Sequence, residues 1–250
     1  MNIYPKISMI KVTFSRKNQA TMLEEFRQSR PLILTTFLGL LLIPVLTMIN
    51  SYSPLPEKAP EGYNSVILAF EFVSNDKELI EVLSPLNPAE IQGLDNLNKV
   101  DFVFMLLYGA FLLSIILKLK ELHQHDWFKY VAGMVMIAVL ADFLENIQLL
   151  NLTEAYSTGV STLESTIHQL ALFTWTKWIL LAIILGAIGY SLITSERYKW
   201  VGYFLFIPIV LGVSAISLRT PMIEDTFGTS IFLCFMGLWV LSLFCRRRVS

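Results

Sequence analysis

Two acidic side chains and an amide interrupt a long apolar run near the middle of the chain. Asp142, Glu145 and Asn146 lie three and four positions apart, so they share one face of a helix. A lone cation, Lys177, lies in the next apolar run. Ionisable groups inside a membrane are costly and normally face the interior of a helix bundle or a wet cavity. These residues therefore mark either a candidate site or a buried ion pair.

Several roles are open to this set. A carboxylate can act as a general base or hold a metal ion while Lys177 stabilises negative charge. The set can also form a ligand pocket, or carry ions or protons across the membrane. In a purely structural role, Lys177 pairs with Asp142 and Glu145 while Asn146 completes their hydrogen bonds. Because carboxylates outnumber the cation, either one of them is protonated or a further cation or ligand completes the site.

Positions along the predicted helices place the polar residues in one layer of the membrane. At the standard helical rise, Asp142 lies roughly 18 Å and Glu145 roughly 22 Å outward from the start of their span. Lys177 lies roughly 10 Å below the outer end of its span, and Tyr108 about 10 Å below Asp101 on the same face. In an apolar core of about 30 Å, these residues share the outer half. We expect one outward-facing pocket, for which the candidates are Glu71, Asp101, Tyr108, Asp142, Glu145, Asn146 and Lys177, with His168 and Arg219 as secondary candidates.

The composition is typical of a membrane protein. Of the 250 residues, 54% are hydrophobic and 16% are charged, whereas soluble domains carry about 25% charged residues. Apolar runs of about 17 to 25 residues indicate spanning helices. The chain has six such runs, at residues 32–50, 101–119, 130–150, 170–193, 200–218 and 228–245. We predict an all-α, polytopic membrane bundle of six transmembrane helices.

Basic residues concentrate at one set of helix ends. They lie in an arm at residues 1–31, in the loops after the second and fourth spans, and in a tail at residues 246–250. Loops rich in lysine and arginine stay in the cytoplasm. We therefore expect both termini to be cytoplasmic, in a multi-pass protein of the inner (plasma) membrane.

The segment 51–100 is the one sizeable part outside the predicted spans, and it is acidic. Asn75 with Glu78, and Asn87 with Glu90, predict two helix starts by side-chain capping. The second of these helices can run on into the second span. The segment is too small to fold alone. We therefore expect a short, helical, extracytoplasmic cap whose apolar faces rest on the bundle or in the membrane interface.

Proline and small residues indicate where the spans bend or pack closely. Pro44 predicts a kink in the first span, or its outer end. Ala182 and Gly186 have the small-residue spacing that lets helices approach each other closely. Pro208 predicts a kinked fifth span. Between the third and fourth spans, we expect a polar outer loop at residues 152–169.

Several chemistries lack their motifs. The sequence has no Gly-rich phosphate loop, no His-Glu-x-x-His and no Gly-x-Ser-x-Gly. His123 and His125 lie in a loop without the three or four ligands that a zinc site needs. No metal and no cofactor are therefore predicted. Membrane topology explains the basic arm and tail, so nucleic acid is not an expected partner.

Three short motifs resemble those of a group of bacterial multispanning membrane proteins. The motifs here are Phe-Glu-Phe at 70–72, Asp-Phe-Val-Phe to Tyr-Gly at 101–109, and Asp-x-x-Glu-Asn at 142–146. The group has leucine where this chain has Phe72. The resemblance covers roughly residues 66 to 180 and implies no activity.

These observations favour a lipid-binding, amphiphile-binding or accessory membrane protein. Its expected partners are membrane lipids or a hydrophobic or amphiphilic small molecule. One alternative is a membrane-embedded enzyme that acts on a lipid-linked substrate. Another is a carboxylate-coupled transporter, although the sequence shows no clear inverted repeat or broken helix pair.

Overall fold

A computed structural model of the protein describes residues 30–159, 163–194 and 198–244. Residues 1–29 of the predicted arm and the tail at 246–250 lie outside these ranges. The described chain is helical and contains no strand. Its helices are α1 (Arg30–Tyr52), a 3₁₀ helix (Pro56–Lys58), α2 (Val66–Glu71), α3 (Asp76–Leu83), α4 (Pro88–His123), α5 (Phe128–Thr158), α6 (Glu164–Ile193), α7 (Lys199–Phe204), α8 (Ile207–Leu218) and α9 (Pro221–Phe244).

The prediction of an all-α bundle with six spans is confirmed. Within the described residues, six helical stretches are long and apolar enough to cross a membrane, α7 and α8 together forming the fifth. The protein is therefore a multi-pass membrane protein. The spans pack as a ring in the order α1, α4, α5, α6, α7/α8 and α9, which returns to α1.

We call the face that carries residues 53–87 the cap face, and the opposite face the far face. The helices extend further toward the cap face than the apolar runs predict. α4 is one continuous helix of 36 residues, so the cap helix does run on into the second span. The predicted outer loop at 152–169 is wrong, because α5 continues to Thr158 and α6 begins at Glu164. The helices persist there because Leu152 and Ile167 are buried against the cap.

The cap consists of α2, α3 and the connecting segments. The Asn75 side chain accepts a hydrogen bond from the backbone N–H of Glu78 at 3.0 Å, which caps α3. Asn87 and Glu90 form the predicted capping box at the start of α4. The buried side chain of Phe70 belongs to the same apolar cluster as Leu152. The expectation that the cap rests on the bundle is confirmed.

Small residues let α6 approach α7 and α8 closely. A methyl group on Gly189 of α6 would lie 2.7 Å from the carbonyl oxygen of Gly202 in α7, so these backbones touch. Gly186 takes part in the same packing, since a methyl group there would lie 2.4 Å from Ile209. The fifth span is broken between α7 and α8, just before Pro208. By contrast, α1 continues through Pro44, which therefore does not mark the outer end of that helix.

Candidate functional site

The ammonium group of Lys177 lies among three carboxylates. Its Nζ atom is 2.5 Å from Glu145 Oε2, 3.0 Å from Glu71 Oε2 and 3.2 Å from Asp142 Oδ1. The Lys177 side chain is 7% exposed and that of Glu145 is fully buried. The carboxylates come from α2 and α5, whereas Lys177 comes from α6. One cation therefore ties the cap to two spans through charge-assisted contacts.

Two neighbours of Lys177 complete this cluster, and the sequence analysis missed both. The Thr174 hydroxyl lies 2.8 Å from Glu145 Oε1 and 3.0 Å from the backbone oxygen of Glu71, so it can donate to either. The Trp178 indole N–H donates to Glu71 Oε2 at 3.0 Å, and its ring centroid is 4.9 Å from Lys177 Nζ. Thr174 lies three residues before Lys177 and so shares its helix face. That spacing was the signal that could have identified it.

A second pair of contacts joins α4 to α5. The Tyr108 hydroxyl donates to Asp142 Oδ2 at 2.7 Å. The Asn146 amide donates to Asp101 Oδ2 at 2.6 Å. The expectation that Asn146 completes the hydrogen bonds of the Lys177 ion pair is therefore wrong. Asn146 follows Glu145 by one residue, about 100° around the helix, so it faces α4 and not α6.

A cavity of about 310 Å³ lies between the spans and α2. Its polar lining is formed by Glu71, Asp101, Tyr108, Asp142, Asn146 and Lys177. Its volume lies at the lower end of the range of about 300 to 1,000 Å³ that is usual for small-molecule sites. The rest of the lining is largely apolar and comes from α1, α2, α4, α6 and α9, with Leu46, Phe104, Ile231 and Phe235 among its residues. The cavity therefore has the amphipathic lining that suits a ligand with a polar head and an apolar chain.

Part of the cavity lining lies on the exposed surface of α9. In the half of the bundle nearer the far face, which we call the far half, α1 and α9 touch, because a methyl group on Gly39 would overlap the Trp239 ring. Nearer the cap, Ile49 of α1 and the exposed residues Thr229 and Phe232 of α9 all line the cavity. Phe232 is 44% exposed on the surface that faces lipid. These exposed lining residues indicate a lateral opening between α1 and α9 in the half of the bundle nearer the cap face, which we call the cap half.

One polar side chain in the cavity wall has no partner among the described residues. Asn98 of α4 is 1% exposed, and neither its Oδ1 nor its Nδ2 atom makes a hydrogen bond there. Buried amides normally have partners, because an unsatisfied one costs free energy. The sequence analysis missed this residue, although it lies three positions before Asp101 on one helix face.

The two secondary candidates lie outside this cavity. His168 is exposed on the surface of α6. Arg219 lies at the cap face, where its Nε atom is 3.3 Å from Glu224 Oε1 and its guanidinium is 5.0 Å from the Trp175 ring. Tyr63 of the cap also donates a hydrogen bond to Glu224. Burial, together with the Glu224 carboxylate, raises the pKa of Tyr63 well above its ordinary value, so this phenol is neutral.

A neighbouring contact fastens the same part of the cap to α9. The Asn64 side chain donates to Asp225 Oδ2 at 2.8 Å, and its backbone N–H donates to Oδ1 at 3.0 Å. Asp225 precedes the apolar run at residues 228–245 that predicts the sixth span, yet it lies in the second turn of α9. The helix begins at Pro221, seven residues before the predicted start of the sixth span at Gly228.

No group of three histidine, cysteine or acidic side chains in the described ranges is arranged to hold a metal ion. His123 and His125 do stack, with ring centroids 6.2 Å apart. Among the carboxylates, the Lys177 ammonium occupies the central position that a bound cation would take.

No protein-family model, no curated protein and no solved structure matches the chain. The resemblance of the three short motifs to a bacterial group therefore stays a prediction. What the site does has to be argued from its geometry.

Proposed function

We propose that the protein binds a lipid or another amphiphile in the cavity between α1, α4 and α9. The polar head would lie against the carboxylates, and the chain would lie along the apolar walls toward the opening. The observation that carries this proposal is that Phe232 of α9 both lines the cavity and is 44% exposed, from which we infer a lateral opening between α1 and α9. A ligand that already resides in the membrane can enter there without passing through water.

The charge bias of the sequence supports an orientation in which the cap is extracytoplasmic, in the inner membrane. Glu71, which belongs to the cap, contributes to the polar lining of the cavity. To bind there, a lipid of the outer leaflet would move its head group inward from the membrane surface to the depth of the carboxylates. Lipids of the outer leaflet are therefore the proposed ligands of this cavity.

The contacts of Lys177 favour binding over catalysis. An enzyme that stabilises a developing anion needs a donor that is free to face the substrate. Lys177 is instead held by carboxylates from α2 and α5 at 2.5 to 3.2 Å. Its role is therefore to position the cap and α5, which shape the cavity.

A cavity-filling substitution tests the proposal. Ile231 is 2% exposed and lines the cavity, so Ile231→Trp fills the space that a chain would occupy. Ile216 of α8 is 48% exposed, and Ile216→Trp adds the same side chain on the lipid-facing surface. Native mass spectrometry of the gently extracted protein should show a retained amphiphile in wild type and Ile216→Trp, and its loss in Ile231→Trp.

A second filling variant, Leu46→Trp on the opposite wall, separates blocked binding from a local folding defect. We expect both cavity variants to lose the ligand while remaining monodisperse. Retention of the same amphiphile by both folded cavity variants would contradict the proposal. Absence of any amphiphile from wild type, in native membranes and after reconstitution, would contradict it as well.

A further inference from the structure

The cavity lining carries more acid than base. Among its described side chains, Glu71, Asp101 and Asp142 are acidic and Lys177 is basic. Glu145 lies directly behind them and also contacts the Lys177 ammonium, at 2.5 Å. The positive charge of Lys177 is therefore already shared among three carboxylates, and none of it is left for an anionic ligand.

Asp101 is the carboxylate with the least internal compensation. The described residues give it one hydrogen bond, from the Asn146 amide to Oδ2 at 2.6 Å. It makes no ion pair among them, whereas the other three carboxylates all contact Lys177. Its side chain lines the cavity. A positively charged group in the cavity would supply the missing counter-charge, since buried charges are stable only when paired.

Asn98 is an independent sign of a ligand at the same place. It is 1% exposed and lines the cavity, and within the described part of the chain neither its oxygen nor its NH₂ group has a hydrogen-bond partner. It lies one helical turn from Asp101, on the same face of α4. A ligand N–H would satisfy its oxygen, and a ligand oxygen next to that nitrogen would accept from its NH₂ group.

We infer that the amphiphile carries a protonated amine as its head group, bound between Asp101 and Asn98, with an oxygen close to the nitrogen. This inference rests on the proposed function and names the ligand class for it. Asp101 provides the counter-charge and Asn98 selects for N–H donors. Fatty acids and other singly anionic amphiphiles are excluded by the acidic lining.

Four probes of equal chain length separate charge from hydrogen bonding: dodecylamine, dodecyltrimethylammonium, dodecanol and dodecanoate. Binding to the purified protein in a neutral maltoside detergent is measured by native mass spectrometry and by thermal shift. Dodecylamine should bind at least about tenfold more tightly than dodecanol and dodecanoate, as expected for charge-assisted hydrogen bonds. Dodecyltrimethylammonium, which keeps the charge but has no N–H donor, should bind more weakly than dodecylamine.

Asp101→Asn should remove most of the preference for the amine over the alcohol, because it keeps an oxygen that accepts from Asn146 but loses the charge. Asn98→Leu should reduce the preference for dodecylamine over dodecyltrimethylammonium. Glu57→Gln, which changes an exposed acid of the cap, is the matched control and should change neither preference. Ile231→Trp controls for uptake of the probes by the micelle, and it should bind none of them.

The outcomes separate the two proposals. Equal binding of all four probes, blocked by Ile231→Trp, would overturn the amine head group and leave the amphiphile pocket standing. A preference for dodecanoate would also overturn the amine. If no probe binds and Ile231→Trp behaves like wild type, the proposed function itself fails.

Discussion

In the far half of the bundle α1 packs directly against α9, whereas in the cap half a cavity lies between these two spans. The far half joins α1 to α4 through the hydroxyls of Thr35 and Ser114 at 2.8 Å. It joins α1 to α9 through the hydroxyls of Thr36 and Ser242 at 3.3 Å. In the cap half, long charged side chains bridge the helices instead.

The difference shows how one bundle can be both closely packed and hollow. Small residues and short hydroxyls bring helices together, as is usual where no apolar force acts between them in lipid. In the cap half, Lys177 joins α6 to the cap and to α5 through three carboxylates. The two halves therefore depend on different contacts, and each can be weakened separately.

The largest effect is expected from Lys177→Met, which breaks the cap half. The substitution leaves Glu145 fully buried without its cation. Removing one partner of a buried pair typically costs about 3 to 5 kcal/mol. The measurement is unfolding in mixed micelles. Lys118→Met is the control in the far half, because its partner Glu121 is 60% exposed and stays solvated. This variant should lose less than about 1 kcal/mol of unfolding free energy.

A paired replacement sharpens the same test. Lys177→Met combined with Glu145→Gln removes both the cation and the most deeply buried charge, so it should recover part of the lost stability. Equal stability of Lys177→Met and Lys118→Met would show that the two halves are not held differently. Failure of the double variant to recover any stability would show that Lys177 does not act through Glu145.

An intermediate effect is expected from Gly39→Ala, which breaks the far half. The added methyl group would overlap the Trp239 ring, so the ring or the two helices must shift. Overpacking of this kind costs about 1 to 3 kcal/mol. Gly133→Ala is the matched control, since a methyl group there meets nothing within 4 Å. If both variants unfold at the same denaturant concentration, the close contact of α1 with α9 is not what holds the far half.

The smallest effect is expected at the edge of the cap, from Tyr63→Phe. Loss of the hydrogen bond to Glu224 should cost about 0.5 to 1.5 kcal/mol near neutral pH. Tyr52→Phe, on a 37% exposed tyrosine, should cost less. The difference between the two is measured in the same unfolding assay.

The pH dependence of Tyr63 has a definite sign. Its pKa is raised in the folded protein, so the phenol stays protonated there after the unfolded chain has begun to lose its proton. Its contribution is complete below about pH 10 and is lost as the pH rises further, by up to about 1.4 kcal/mol per pH unit. The cost of Tyr63→Phe should therefore shrink between about pH 10 and 11. A cost that stays constant across that interval would contradict the burial of this phenol.

Periodicity and helical rise were enough to predict the number of spans and to place Asp142 and Lys177 near each other, where they make a contact of 3.2 Å. Both follow from the length of the apolar runs, because each span must cross the same thickness of membrane. The direction in which each polar residue turns within that layer could not be predicted. Asn146 meets Asp101 and not Lys177, because the rotation of α5 against its neighbours depends on packing across the whole ring.

The contacts of the cap were hidden for a similar reason. Residues 152–169 are polar enough to suggest a loop, yet Leu152 and Ile167 become buried once the cap covers them. Only the tertiary structure supplies that cover. The contact of Gly39 with Trp239 could not be predicted either, because it joins the first and last spans, which are distant in the sequence.

The most direct test of the central claim is an experimental structure of the protein in a bilayer of native lipids. We predict elongated density in the cavity, with its head within hydrogen-bond distance of Asn98 and Asp101 and its chain leaving between α1 and α9. Bound lipid confined to the outer surface of the bundle, with only water beside Asn98, would contradict the account.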